Sequence, residues 1–262
     1  MRAISGPMPL DVVDLRAFYA SPLGHVARRF IGQAMLRFWP DCSRQRLLGL
    51  GFCTPYLSVL GVGAERVLAF MPAAQGVVNW PSEGLSASAL VEPTLLPLPT
   101  ASVDRIVLAH ALEETESPGD MLEEVSRVLS PGGRLIVVAP NRRGLWARMD
   151  GTPFGHGRPF SRTQLESLMR SAEFSSENWA EVLYVPPLRR RVLMRSAAVW
   201  EQVGAGLSLP FAGVHVIDAT KQFYRRAPLR ATRRSFAFRP ILLPQPAPTQ
   251  GAAAHRRDGE AG

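Results

Sequence analysis

The run that decides the fold reads Leu96-Pro97-Leu98-Pro99, then Ser102-Val103-Asp104-Arg105-Ile106-Val107, then His110-Ala111-Leu112-Glu113. It continues Met121-Leu122-Glu123-Glu124-Val125, Arg127-Val128-Leu129, Pro131-Gly132-Gly133-Arg134-Leu135 and Pro140-Asn141. The apolar stretch after Asp104 predicts a strand over 105–109. The period then changes, because Met121, Leu122, Val125, Val128 and Leu129 recur at the spacing of one helix face. Pro131-Gly132-Gly133 predicts the end of that helix and a turn. Arg134 to Ala139 predicts a buried strand, stopped by Pro140. Strand, helix and strand in that order form the unit from which parallel sheets are built.

Outward from this segment the same alternation holds. Upstream, Asp11 or Asp14 predicts the start of a helix through Tyr19, broken at Ser21-Pro22, and a second helix runs from Leu23 to Trp39. Short apolar strands are predicted over 46–50 and 66–70. Thr54-Pro55 reads as a turn, and residues 81–101, rich in Pro, Ser and Ala, read mainly as loop. Downstream, Ser161 with Gln164 three residues on predicts a capped helix carrying Leu165 and Leu168 inward. Strands are predicted over 178–185 and 214–220, and a helix with a basic start over 188–204. The expected class is α/β, with three regions: an N-terminal helical cap over 1–40, a main domain over 41–224, and a basic Pro/Ala-rich tail over 225–262 whose composition predicts disorder.

The chain has 262 residues, 46% hydrophobic and 20% charged, which excludes wholesale disorder and fibrous repeats. No apolar run reaches the ~20 residues of a spanning helix, and no secretory h-region precedes Asp11. Cys42 and Cys53 are too few for a disulfide framework or a self-contained zinc site, so no metal is expected and a reducing cytoplasm is the expected compartment. The net charge of +8 is uneven: residues 225–262 hold eight arginines and two acids. That tail, with Phe236 and Phe238 among its arginines, and the run Arg189-Arg190-Arg191 suggest contact with nucleic acid or an anionic surface.

In its order and spacing, the segment 96–141 resembles the central half of the class I S-adenosylmethionine-dependent methyltransferases of the type 11 group. The resemblance implies a doubly wound, Rossmann-like sheet of seven mostly parallel strands, with residues 178–186 and 213–221 as its terminal pair and the N-terminal helices covering the site. It also implies S-adenosylmethionine as cofactor, held by Gly49, Gly51, Cys53, Met71, Glu92 and Leu96, and a methyl acceptor that the sequence does not name. Several of these positions depart from the family pattern. Gly49 stands where the family has an acid. Cys53 and Pro55 stand where it has glycines. Met71 stands where a strand-end acid binds the ribose hydroxyls. Glu92 keeps the acid that contacts the adenine amino group.

His110, at the carboxyl end of the 105–109 strand, is a candidate general base. His156, in Gly155-His156-Gly157-Arg158-Pro159-Phe160-Ser161, is a second catalytic candidate, and the Asn141-Arg142-Arg143 loop could hold an anionic acceptor. The expected activity is methyl transfer with an atypical cofactor site. The alternative is a non-catalytic member of the fold, acting as a binding or scaffold protein. No motif for phosphate cradling or for a hydrolase nucleophile is present.

Overall fold

A computed structural model describes residues 10–187, 196–206 and 211–222. The leader 1–9, the Arg189-Arg190-Arg191 run, the start of the helix expected from Leu188 and the basic tail lie outside the described residues.

Helix α1 (Val12–Ala20) starts at Asp11, whose carboxylate accepts from the Val13 N–H. Ser21 ends α1 and caps α2 (Pro22–Phe38), with Pro22 in the first turn, where a missing N–H costs nothing. Then follow β1 (Arg46–Gly51), α3 (Thr54–Leu60), β2 (Arg66–Pro72), β3 (Ser88–Val91), β4 (Val103–Ala109), α4 (Pro118–Val128) and β5 (Leu129–Pro140). Two short 3-10 turns (Trp146–Arg148, Pro153–Gly155) precede α5 (Arg162–Ser171), and β6 (Phe174–Val182), α6 (Ala197–Gly206) and β7 (Val214–Lys221) complete the chain order. The Ser161–Gln164 capping box forms as its spacing predicts.

The sheet order is β3-β2-β1-β4-β5-β7-β6. The first five strands run parallel, and β7 runs antiparallel to both of its neighbours. This is the doubly wound seven-stranded sheet expected from the sequence. One face is covered by α1, α2 and α3 around Leu15, Ile31, Met35, Trp39 and Leu57. The other is covered by α4 and α5 around Leu122, Val125, Val128 and Leu165. Strand order reverses at β1, which pairs with β2 on one side and β4 on the other, so the carboxyl ends of these strands frame the ligand crevice of such a sheet.

Four local expectations are corrected. Pro131-Gly132-Gly133 does not form a turn between helix and strand: β5 already begins at Leu129. The pairing with β4 jumps from Val103↔Leu129 to Arg105↔Arg134, so residues 130–133 bulge opposite Asp104, with Gly132 at φ 70°. Thr54-Pro55 is not a turn but the first turn of α3. Residues 81–101 contain the short edge strand β3, paired to β2 alone. Strand β6 also starts earlier than predicted, at Phe174, and ends at Val182.

Candidate active site at the carboxyl ends of β1, β2 and β4

Strand β1 ends in Gly51, whose φ of 89° suits glycine; a Cβ there would lie 2.3 Å from the Ala109 carbonyl oxygen. The chain therefore passes tightly against the end of β4. Gly49 is equally enclosed: a Cβ would stand 2.6 Å from the Cys53 Cβ and 2.8 Å from Leu57 Cδ1. Cys53 is fully buried and precedes α3, and its thiol points at the carbonyl oxygens of Leu50 (3.3 Å) and Val107 (3.2 Å). Burial pushes this thiol far up, so it stays protonated and unreactive. Cys53 thus fills the space that a side chain at Gly49 would need.

Beyond β4, His110 sits at φ 53°, a left-handed conformation uncommon for a residue with a Cβ. Its ring is buried. Nε2 lies 2.8 Å from the Tyr19 hydroxyl, and Nδ1 lies 3.4 Å from Oε1 of Glu113, whose carboxylate is buried and has no other polar partner among the described residues. A tautomer with its proton on Nδ1, toward Glu113, would leave Nε2 as the accepting nitrogen. Tyr19 also lies 2.8 Å from the Tyr56 hydroxyl, stacks on Phe52 and meets His110 edge-on. Phe154 packs on the other side of the imidazole. Helix α1 thus presses an aromatic cluster onto the β1 and β4 ends.

Between the loops that follow β2, β3 and β4 lies a cavity of about 160 Å³. Pro72, Ala74, Gln75, Glu92, Ala111 and Met121 are among its lining residues, and its walls are mainly apolar. Gln75 is buried, and its Nε2 donates to the His110 carbonyl oxygen at 2.9 Å. Glu92 accepts from the Thr94 hydroxyl at 3.0 Å. Glu114, on the same wall, has its carboxyl raised by burial, with the Glu113 charge adding to it.

The residues singled out by sequence fall into three groups. Glu92 lines the cavity, and His110 and Gly51 adjoin it through Gln75 and Ala111. Met71 lies fully buried in the core, its sulfur 3.5 Å from the Val78 N–H, and Leu96 packs against α4 with its N–H on Glu124. His156 is held outside this set, its Nε2 2.9 Å from the Asp150 carbonyl oxygen. Asn141 is buried in structural bonds to Ala212 and Arg143, and the Arg142 guanidinium donates to the Pro159 carbonyl. Sequence reading missed Gln75, Glu113 and Tyr56. Gln75 and Tyr56 sit in no recognisable motif and are brought to the site by packing; Glu113 ends the His110–Glu113 run quoted above but was given no role there.

S-adenosylmethionine would meet this site unequally at its two ends. The cavity's mainly apolar walls, with the carboxyls of Glu92 and Glu114 among them, are the chemistry an adenine base would need. The β1 turn itself, residues 49–55, contains no acid, and Cys53, Leu57, Phe52 and Tyr19 occupy the space.

Residues 49–137 match the family model described as a methyltransferase domain of the type 11 group. A protein of Mycolicibacterium smegmatis whose name assigns it S-adenosylmethionine-dependent methyltransferase activity is 35% identical over 91 residues. That match covers 34% of this chain and 35% of the relative, so the chain spans about a third of the length of the curated relative it matches. A SAM-dependent methyltransferase from Thermotoga maritima superposes with a TM-score of 0.55 at 19% identity, over 80% of this chain and 96% of that one. The [4+2]-cyclase SpnF superposes with a TM-score of 0.53, also at 19% identity, over 82% of this chain and 98% of its own. The latter name shows that this fold is not confined to methyl transfer. No helix among the described residues is long and apolar enough to cross a membrane. Over residues 49–137, then, the chain is similar to the type 11 methyltransferase domain, and it carries that segment on a sheet of order β3-β2-β1-β4-β5-β7-β6.

Proposed function

We propose that the chain is a methyltransferase that grips S-adenosylmethionine chiefly by its nucleoside, in the cavity between the β2, β3 and β4 loops. The observation that carries this reading is the cavity itself, placed at the switch point of the sheet and walled by Ala74, Ala111 and Met121 with Glu92 as its acid. When bound, the cofactor supplies a methyl group on a sulfonium centre. The chain's part is orientation, exclusion of water and proton handling. The apolar walls shield the nucleoside, and Glu92 offers a carboxylate to its amino group. His110, with Nδ1–H held toward Glu113, keeps Nε2 as the proton-accepting atom. Tyr19 holds that nitrogen in the free protein, so an acceptor that gives up a proton must displace the Tyr19 hydroxyl.

The test is calorimetric titration with S-adenosylmethionine and S-adenosylhomocysteine, on the natural chain and on Ala74→Trp. Ala74 is exposed on the cavity wall, so the indole blocks the cavity without disturbing the core. Gly51 is unsuited to this test, because any side chain there meets the β4 backbone. Saturable binding lost in Ala74→Trp supports the reading. A second reading, a non-catalytic binding protein of the same fold, is favoured by the closed Gly49–Cys53 turn. It predicts no heat from either ligand with the folded natural chain.

A further inference from the structure

One residue of this cavity has a hydrogen-bonding capacity that no described residue uses. Gln75 is 4% exposed and lines the cavity. Its backbone is pinned on both sides: its N–H donates to the Pro72 carbonyl at 2.9 Å, and its carbonyl accepts from the Val12 N–H of α1 at 2.8 Å. Its amide donates through Nε2 to the His110 carbonyl oxygen. That bond fixes which end of the amide is which, because an oxygen turned to the His110 carbonyl would face another acceptor. Oε1 is therefore the end left over. It is buried and has no donor among the described residues. Amide oxygens screened from water are rarely left so, and each such case calls for a partner.

The partner must bring a donor to the wall of a small, mostly apolar cavity at the carboxyl end of β2. Met71, next to the end of the same strand, is buried in the core with its sulfur on the Val78 N–H, so it offers such a donor no oxygen. Building on the reading of the preceding subsection, we propose that Gln75 is a ligand-binding residue whose Oε1 accepts a hydrogen bond from a ribose hydroxyl of the adenine nucleoside. A neutral amide thereby takes over, four positions further along the chain, the contact that a strand-end carboxylate would otherwise make. The Nε2 bond to His110 couples this contact to the backbone of the candidate base, so the sugar and the imidazole are held through one side chain.

The experiment measures affinities of the full chain, Gln75→Leu and Gln75→Glu for S-adenosylhomocysteine, adenosine, 2′-deoxyadenosine and 3′-deoxyadenosine, with thermal melts to show that each variant is folded. The natural chain is expected to bind adenosine about three- to tenfold more tightly than one of the two deoxynucleosides, the span of one neutral hydrogen bond. Gln75→Leu loses that preference and binds S-adenosylhomocysteine weaker by the same factor. Gln75→Glu keeps an acceptor toward the cavity but sets its second oxygen against the His110 carbonyl, so it keeps the preference with a lower melting temperature. If Gln75→Leu binds S-adenosylhomocysteine and still prefers adenosine, the Gln75 assignment is overturned while the cavity reading stands. If the folded natural chain binds none of the four, both fall together.

Discussion

A Cβ on Gly49 would lie 2.6 Å from the Cβ of Cys53, closer than real side chains approach. Two of the positions where the β1 turn departs from the type 11 pattern, Gly49 and Cys53, are therefore one steric event. An acid at 49 and a cysteine at 53 exclude each other, and Leu57 narrows the same space. Gly49→Asp alone is expected to lower stability by about 2–4 kcal/mol, through overpacking and a buried unpaired carboxylate. Cys53→Gly alone removes a buried side chain and costs about 1–2 kcal/mol. Combined, they should cost less than the sum of the two, because the glycine clears the site for the acid. Urea unfolding of the four proteins decides it. Additive losses would show that the two positions are independent.

The Tyr19 hydroxyl joins three elements, standing 2.8 Å from both Tyr56 and His110. Tyr19→Phe leaves the His110 Nε2 and the Tyr56 hydroxyl without their partner, a cost of about 1–3 kcal/mol for buried groups. Burial raises the Tyr19 phenol, and neighbouring Tyr56 raises it further; burial also raises Tyr56 above the ordinary tyrosine range near 10. The folded protein therefore keeps both protons where the unfolded chain releases them. Stability from this pair is complete below pH 10 and falls as the pH rises beyond it. Phenolate absorbance from Tyr19 and Tyr56 should appear only with loss of the fold. Titration of these two rings in a chain that keeps its circular dichroism would refute the buried pair.

The sheet was legible because its strands and long helices state their period locally. Three elements were not. Thr54-Pro55 has the composition of a turn, yet proline in the first helical turn lacks only an N–H that would have no partner there, so α3 forms. Strand β3 has only four residues, Ser88 to Val91, and takes its identity from pairing with β2 rather than from its own pattern. Pro131-Gly132-Gly133 reads as a stop because bulge and turn use the same residues. At the site, Glu92 and His110 could be placed by order along the chain. Gln75 could not, because its burial depends on α1 docking over it through the Val12–Gln75 backbone bond.

His215, 2% exposed in β7, has two ring nitrogens without a hydrogen bond among the described residues and packs edge-on against Trp179. Burial pushes its imidazole down to about 4, and the Arg162 charge adds to this. The unfolded value is about 6.5. Between these values the unfolded chain binds a proton that the folded one refuses. Stability from this group is thus complete above pH 6.5 and declines as the pH falls toward 4. Glu181, whose Oε1 is 3.5 Å from Nδ1, has its carboxyl raised by burial, which acts in the opposite sense and is retained in the variant. His215→Phe should melt no lower than the natural chain at pH 7 and lose less of its melting temperature between pH 7 and 4.5. Parallel pH profiles for the two proteins would exclude the effect.

Asp218, fully buried in the middle of β7, gathers donors from three elements. Its Oδ1 accepts from the Trp39 indole at 2.9 Å, its Oδ2 accepts from the Asn178 amide at 2.8 Å, and the Arg134 guanidinium donates to both oxygens. Trp39 closes the C-terminal end of α2, so this carboxylate ties the helical cap to the antiparallel side of the sheet. Asp218→Ala strands the Arg134 charge and two neutral donors, and should cost about 3–5 kcal/mol, as removing one partner of a buried ion pair does. Trp39→Phe removes one hydrogen bond to a charged group and part of a fully buried ring, and should cost about 2–3 kcal/mol. The two losses should not add, because Trp39 has no carboxylate to reach once Asp218 is gone. A double-mutant cycle by urea unfolding measures the coupling. Hydrogen exchange then locates it: faster exchange in α2 of Asp218→Ala than in α4 shows that the carboxylate anchors the cap, and uniform acceleration would mean that it only stabilises the sheet.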